Sequence, residues 1–197
     1  MFTETINGVQ LSFETAGAAF SPLGCDKGTF AMISAAQFSQ NDNFDKFNKF
    51  DNSKKILDLG CGYGIVGIYA AKIIGEENVV MSDIDKKCIE LSKRNAEING
   101  VSGIKVVQSD GFKNIQDTDF TLILSNPPYH SDFSVPKHFI EKGFNRLKIG
   151  GMMYMVTKRK EWYKNKFISI FGGVKLTEID GYFVFCAEKR STKYANR

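Results

Sequence analysis

Two short stretches gather residue types that could do chemistry together. The first is Asp58-Leu59-Gly60-Cys61-Gly62-Tyr63-Gly64, with Gly67 close behind. Glycines so spaced permit a tight turn and let a ligand approach the backbone. Gly62, Gly64 and Gly67 match G-x-G-x-x-G, and Asp83 follows about 20 residues on, as a dinucleotide site requires. Free N–H groups at the start of a following helix would suit an anion. Asp58 argues the other way, because a carboxylate there repels a pyrophosphate and attracts an ammonium. The second stretch is Ser125-Asn126-Pro127-Pro128-Tyr129-His130. Its two prolines stiffen the backbone, lack N–H groups and leave carbonyls as acceptors. Asn126 adds a side-chain carbonyl and Tyr129 a flat face for stacking. Together they fit a planar molecule carrying an NH2 group. The plainer alternatives are a strand-to-helix turn for the glycines and a proline turn with a surface tyrosine for the second stretch.

An alternating pattern positions both stretches. Residues 55–59 form a short apolar run ending in glycines, which reads as a buried strand. Residues 65–74 read as a helix and 78–82 as a second strand. Asp85 can cap a helix in which Ile84, Cys88, Leu91 and Ile98 recur at helical spacing. Strands follow at 104–108 and 120–125. Pro136 suits the first turn of a helix with Ile140, Phe144 and Leu147 on one face. Gly150-Gly151 introduces a strand at 152–156, and 161–171 is amphipathic, with Tyr163, Phe167 and Ile170 on one side. Strands at 174–179 and 182–188 flank Asp180-Gly181, a hairpin signal. The expectation is an α/β fold, a Rossmann-like doubly wound seven-stranded mostly parallel sheet with an antiparallel C-terminal hairpin. Ligands of such sheets lie beyond the carboxyl ends of the strands, where both stretches fall.

Composition bounds the rest. The chain has 197 residues, 43% hydrophobic and 24% charged, enough for one packed domain. We read 1–197 as a single domain, with 1–53 an N-terminal extension and first helix and 54–190 the catalytic core. The segment 38–53, rich in Asn, Asp, Lys and Phe, reads as a surface connection. No apolar run approaches the roughly 20 residues of a membrane span, and the N-terminus lacks the features of a secretory signal. The net charge of +4 permits a polyanionic partner without demanding one. Lys158-Arg159-Lys160, followed by Trp162, Tyr163, Lys164 and Lys166, interleaves cations with aromatics on the ligand edge, where RNA phosphates could be met; a solvated helix start is the alternative. The basic tail from Lys189 to Arg197 reads as a frayed end. Cys25, Cys61, Cys88 and Cys186 form no C-x-x-C and the chain has two histidines, so no metal is expected and free cytoplasmic thiols are.

The combination D-x-G-C-G-x-G, Asp83 after the second strand, Asp110 after the third and N-P-P-Y at 126–129 resembles class I S-adenosylmethionine-dependent methyltransferases. The N-P-P-Y form is similar to the branch that methylates planar-conjugated nitrogens: exocyclic amines of adenine or guanine, and the amide of glutamine. Phe20-Ser21 with Cys25-Asp26-Lys27-Gly28-Thr29, and the trailing His130, further resemble the RsmC-type ribosomal RNA guanine-N2 methyltransferases. Cys25 departs from the usual leucine, and the degenerate second domain of well-studied members has no counterpart in this length of chain. The resemblance implies S-adenosylmethionine as cofactor, RNA (rRNA or a ribosomal subunit) as partner, and neither membrane nor metal.

The resemblance also implies roles. Asp58 would bind the methionine ammonium, and Gly60, Cys61, Gly62 and Gly64 would pass close to the methionine and ribose. Asp83 would accept from the ribose hydroxyls, with Asp85 more suited to capping. Asp110 would accept from the adenine N6 amine, Gly111 or Phe112 would contribute a backbone donor, and Ile84 and Phe112 would wall the ring, unless they serve core packing. Asn126 and the Pro127 carbonyl would accept the target amine's protons on a corner stiffened by Pro128, and Tyr129 would stack the base. Asp26 and Thr29 would close over the cofactor or the target. His130 would shape its loop, His138 would lie on the surface, and Lys158 and Arg159 would meet the substrate. Alternatives are a glutamine-N5 or adenine-N6 methyltransferase, a NAD-dependent dehydrogenase, and a non-catalytic binding module.

Overall fold

Asn7 and Gly8 both adopt left-handed backbone, with φ of 47° and 82°. That is the requirement of a two-residue hairpin turn, and it joins β1 (Phe2–Ile6) to β2 (Val9–Phe13) in antiparallel register. The hairpin, hidden within the expected N-terminal extension, is announced by the Asn-Gly pair. The computed structural model describes residues 1–15, 26–36, 38, 54–128 and 132–195. Most of the expected 38–53 connection therefore lies outside the described residues, as do Cys25, Tyr129 and His130. Phe38 itself is buried edge-on against Tyr69.

After α1 (Lys27–Ala35) come β3 (Ile56–Leu59), α2 (Ile65–Ile74), β4 (Val79–Asp83), α3 (Lys86–Ile98), β5 (Lys105–Gln108) and β6 (Phe120–Ser125). Then follow α4 (Ser134–Arg146), β7 (Leu147–Thr157), α5 (Glu161–Phe171), β8 (Lys175–Ile179) and β9 (Tyr182–Glu188). The main sheet has seven strands in the order β5-β4-β3-β6-β7-β9-β8. β3 to β7 pair in parallel; β9 is antiparallel to β7, and β8 to β9. The strand order reverses direction at β3 and β6, so the site expected at a switch point belongs between their carboxyl ends.

Alternation along the strands feeds two cores. Ile56, Met81, Leu124 and Val156 pack with the hairpin, α1, α2 and Leu91 of α3. Leu57, Val80, Ile123 and Met155 pack on the other face, with Ile140 and Phe144 of α4 and Phe167 of α5. Tyr163 is buried there too, stacked on Phe185, so it is not part of any basic-aromatic surface. No described helix is long and apolar enough to cross a membrane.

Three expectations need correction. β7 begins at Leu147 rather than at residue 152, because Gly150 takes φ 80° and the chain bulges: two residues along β6 match five along β7. Leu147 is buried, yet it opens β7 instead of closing α4. The buried face of α3 is Ile89, Leu91, Ser92, Asn95 and Ala96, while Ile84 precedes the helix and Ile98 is exposed. Hydrophobic periodicity misled because polar side chains face inward. Asn95 accepts from Glu14 N (2.8 Å) and donates to the carbonyls of Glu14 (3.1 Å) and Tyr63 (2.9 Å). Asn99 likewise accepts from Ser12 N (3.0 Å) and donates to Ser12 O (2.8 Å). Both amides act as surrogate strand neighbours for the free edge of β2.

The tail is also corrected. Lys189 is buried, donating to Leu147 O at 2.7 Å above the Phe144 ring, and Tyr194 Oη donates to Glu141 O. The last described residues are docked on α4.

Asn95→Ala would strand three backbone groups at once, the Tyr63 carbonyl buried and the two of Glu14 half-buried. With roughly 1–3 kcal/mol for each unsatisfied group and partial relaxation, we expect a loss of about 3 kcal/mol in urea unfolding. Asn99→Ala, nearer solvent, should lose about 1 kcal/mol.

Candidate active site

The glycine loop is a backbone structure first. Gly60, Gly62 and Gly64 have φ of 79°, 57° and 96°, a left-handed conformation that any side chain would strain. Its amides are already used. Gly60 and Cys61 donate to Ser82 O (2.8 and 2.9 Å), Gly62 to Asp83 Oδ2 (2.9 Å) and Gly64 to Cys61 O (2.8 Å). These loop N–H groups are therefore not offered to a phosphate, and in the first turn of α2 Gly67 N is taken by Asp58. A side chain started at Gly60 or Gly62 would meet nothing within 4 Å, so the loop presents bare backbone to open space.

Beneath the loop lies Asp58, 2% exposed. It sits on β3 and turns toward α2, where Gly67 N donates to its Oδ2 at 2.9 Å. Gly67 must be glycine, because a Cβ there would lie 2.4 Å from Met81 Cγ. Burial raises the Asp58 carboxyl to about 7; the Gly67 hydrogen bond opposes the shift and the nearby Asp83 charge adds to it. The Cys61 thiol is buried and pushed up by burial and by the Asp58 and Asp83 charges, so it is no nucleophile.

The next two strand ends hold the other acids. Asp83 Oδ1 accepts from Asp85 N (2.9 Å), and Asp85 in turn caps α3 through Lys87 N (2.8 Å). Ile84 is 64% exposed, which removes it from the core. Ser109 N donates to Asp83 O, and Ser109 Oγ to Gly111 O, tying the Asp110 turn to β4. Asp110 is exposed and Phe112 is buried in the core. His138 is exposed and packs so close to Gly111 that an added Cβ would sit 2.8 Å from its ring.

β6 delivers Asn126 beside this loop. Asp58 pairs with Leu124 in register, and Ser125 Oγ donates to Leu59 O at 2.7 Å. The Asn126 amide nitrogen donates to Asp26 Oδ2 (2.8 Å) and Thr29 Oγ1 (2.9 Å). Its Oδ1 is buried and accepts no hydrogen bond from any described residue. Pro127 is buried and Pro128 exposed. Asp26 and Thr29, expected near the target, are thus brought onto Asn126 itself.

On the same edge β7 ends at Thr157, and three successive cations sit over rings: Lys158 over Tyr182 (4.9 Å), Arg159 over Phe133 (5.0 Å) and Lys160 over Phe183 (5.3 Å). Phe133, 37% exposed and stacked on Trp162, carried no signal in the sequence that set it apart from other aromatics.

Comparison with known proteins decides the class. The family model for the methyltransferase small domain matches residues 10–186. The chain belongs to the methyltransferase small-domain family. It is a methyltransferase that depends on S-adenosylmethionine, and the dehydrogenase alternative falls. A Bacillus subtilis (strain 168) protein, YbxB, described as uncharacterized, is 31% identical over 169 residues, covering 83% of this chain and 84% of that one. Ribosomal RNA small subunit methyltransferase C of Actinobacillus pleuropneumoniae (serotype 7, strain AP76) is 34% identical over 160 residues, covering 79% of this chain and 45% of that protein. The chain spans about half the length of the curated rRNA methyltransferases it matches. Among solved structures, the T. thermophilus 16S rRNA N2 methyltransferase RsmC, in complex with AdoMet and guanosine, superposes with a TM-score of 0.80. That match has 24% identity and covers 96% of this chain and 50% of that one, a likeness of fold.

The methyltransferase site suits its cofactor chemically. A buried carboxyl with one hydrogen bond invites an ammonium, bare left-handed glycines admit close contact, and Asp83 and Asp110 offer acceptors at the rim.

Asp58 makes stability depend on pH in a stated direction. Its folded value, about 7, exceeds that of an unfolded aspartate. Its stabilising contribution is whole below the unfolded value and is lost as pH rises through the folded one. Asp58→Asn abolishes this ionisation. The variant's unfolding midpoint in urea should therefore gain on the wild type between about pH 4 and pH 7; a constant difference would show an unshifted carboxyl.

Proposed function

We propose that this methyltransferase transfers the methyl group of S-adenosylmethionine to the exocyclic N2 amine of a guanine in ribosomal RNA, in the cytoplasm. The observation that carries the reading is the buried, unpartnered Oδ1 of Asn126 beside the glycine loop. A buried acceptor lacking a donor is costly unless a ligand supplies one. An amine on a planar ring supplies it. The names of the rRNA methyltransferase C relatives, and the guanosine in the RsmC complex, support rRNA and guanine as the target.

S-adenosylmethionine, when bound, supplies an activated methyl on a sulfonium. Asp58 holds the methionine ammonium, and the backbone at Gly60, Cys61, Gly62 and Gly64 lines the methionine and ribose. Asp83 accepts from the ribose hydroxyls. Asp110 and Gly111 meet the adenine edge, with the exposed Ile84 bounding the ring, while Phe112 serves the core. Asn126 Oδ1 and the Pro127 carbonyl accept hydrogen bonds from the two N–H groups of the target amine, and the methylated nitrogen afterwards gives up one proton to solvent. The two hydrogen bonds favour the pyramidal nitrogen, aim its lone pair and stabilise positive charge developing there. Positioning supplies most of the rate, a contribution of up to ~7–11 kcal/mol in oriented systems. Pro128 stiffens the corner, and Tyr129 stacks the base for roughly 1–3 kcal/mol, with His130 shaping the loop. A base held in a duplex must first be extruded. Lys158 and Arg159, with Lys160, meet the phosphates flanking the target.

The test is transfer of labelled methyl from S-adenosylmethionine to fractionated cellular RNA and protein, followed by nucleoside and amino-acid analysis. N2-methylguanosine in rRNA is expected; label in glutamine or N6-methyladenosine overturns the target. Asn126→Ala should abolish transfer with nearly unchanged cofactor affinity by calorimetry. A parallel fall in both would contradict its role.

Alanine at Lys158, Arg159 and Lys160 should weaken RNA binding and flatten its salt dependence, by about 0.7 in log–log slope for every phosphate no longer neutralised. Filter binding across a salt series reads this out, and an unchanged slope would remove these cations from the RNA path.

A further inference from the structure

We infer that Asp26 and Thr29 are positioning residues for Asn126, holding its amide so that only an acceptor faces the reacting group. The inference rests on reading the site as that of an N-methyltransferase and adds what makes it selective. A primary amide has two donors on nitrogen and acceptor capacity on oxygen. Both donors of Asn126 are matched, by Asp26 Oδ2 at 2.8 Å and Thr29 Oγ1 at 2.9 Å. Rotating the amide by half a turn would press its carbonyl against the Asp26 carboxylate, so the orientation is set. Oδ1 is left as the buried atom without a described partner.

Three consequences follow from the geometry. A group docking at Oδ1 must be a donor, which admits NH2 on a planar ring or amide and rejects a ring carbonyl presented at the same place, because two acceptors would meet in a dry site. The carboxylate behind the amide polarises it, since chained hydrogen bonds reinforce one another. Asn126 Oδ1 thereby becomes a better acceptor for a nitrogen that grows positive as the methyl arrives. Finally, the catalytic corner is bound to the start of α1. Asp26 Oδ2 also caps that helix through Thr29 N (3.1 Å), and α1 packs on β7 and β9. The lateral position of the amide is thus referenced to the sheet rather than to the loop alone.

The variants separate capping from positioning. Asp26→Ser keeps a good capping oxygen but is too short to reach the Asn126 amide. Thr29→Val keeps shape and loses the acceptor; Thr29→Ser restores it. Three quantities are read: kcat for methyl transfer, S-adenosylmethionine affinity by calorimetry, and the Asn126 side-chain NH2 resonances of 15N-labelled protein. We expect kcat to fall about 10- to 100-fold in Asp26→Ser, the scale of misplacing a catalytic group. A smaller fall is expected in Thr29→Val and recovery in Thr29→Ser. Cofactor affinity should stay within about twofold, as for an interaction made only in the transition state, and the Asn126 resonances should shift in both impaired variants. Wild-type kcat with unmoved resonances in Asp26→Ser overturns the inference, as does cofactor affinity falling in step with kcat. Should the wild type methylate no amine at all, the proposed function fails. The Asn126 resonances then decide the tie by themselves, unmoved ones overturning it.

Discussion

A carboxyl group kept inside the protein with one hydrogen bond is the constraint around which this methyltransferase is arranged. Asp58 lies on the central strand β3, and among the described residues the amide that serves it belongs to Gly67. For that amide to reach, α2 must approach the sheet so closely that residue 67 has no room for a side chain beside Met81. The entry to α2 must then be tight, hence the left-handed glycines, whose own N–H groups fold back onto Ser82 and Asp83. Burial of this kind opposes folding once the group is ionised. A cationic ligand would offset that opposition, so the ammonium proposed for this site would strengthen the apoprotein at its weak point.

Much of this was legible because local chemistry and global topology agree. Runs such as 55–59 and 120–125 are strands by pattern, and glycines or prolines follow them where the fold needs turns. The acids at 58, 83 and 110 fall at successive strand ends, as the spacing suggested. Periodicity failed where inward-facing positions are polar. Ser92 and Asn95 on α3 look like surface residues until their backbone partners, Ile89, Glu14 and Tyr63, are known. It failed again at β7, whose bulge at Gly150 reads as a loop. The contact between Asp26 and Asn126 spans 100 residues of chain, and no local rule joins a helix cap to a distant proline corner.

The rim of the sheet shows how side chains of opposite character are combined. Lys158, Arg159 and Lys160 are consecutive, yet each rests on a ring from another element, Tyr182, Phe133 or Phe183. Long cationic side chains lose rotamer freedom when they bind. Contact with a ring restricts them beforehand, so a row of cations on the same sheet edge as Asn126 is already partly ordered. Lys189 shows the opposite treatment: its ammonium is withdrawn into the fold to satisfy Leu147 O, leaving it unavailable to an anionic partner.

The position of β9 has a consequence for how the chain is made. Residues 182–188 lie between β7 and β8, and among the described residues β8 pairs with β9 alone. During synthesis, everything through β7 can emerge and assemble while one side of the sheet remains an open ladder of unpaired amides and carbonyls, with β8 unable to cover it. Closure waits for β9, which is made only after β8. Between the synthesis of β7 and that of β9 the nascent sheet therefore carries an exposed, aggregation-prone border, and truncation before residue 182 would make that border permanent.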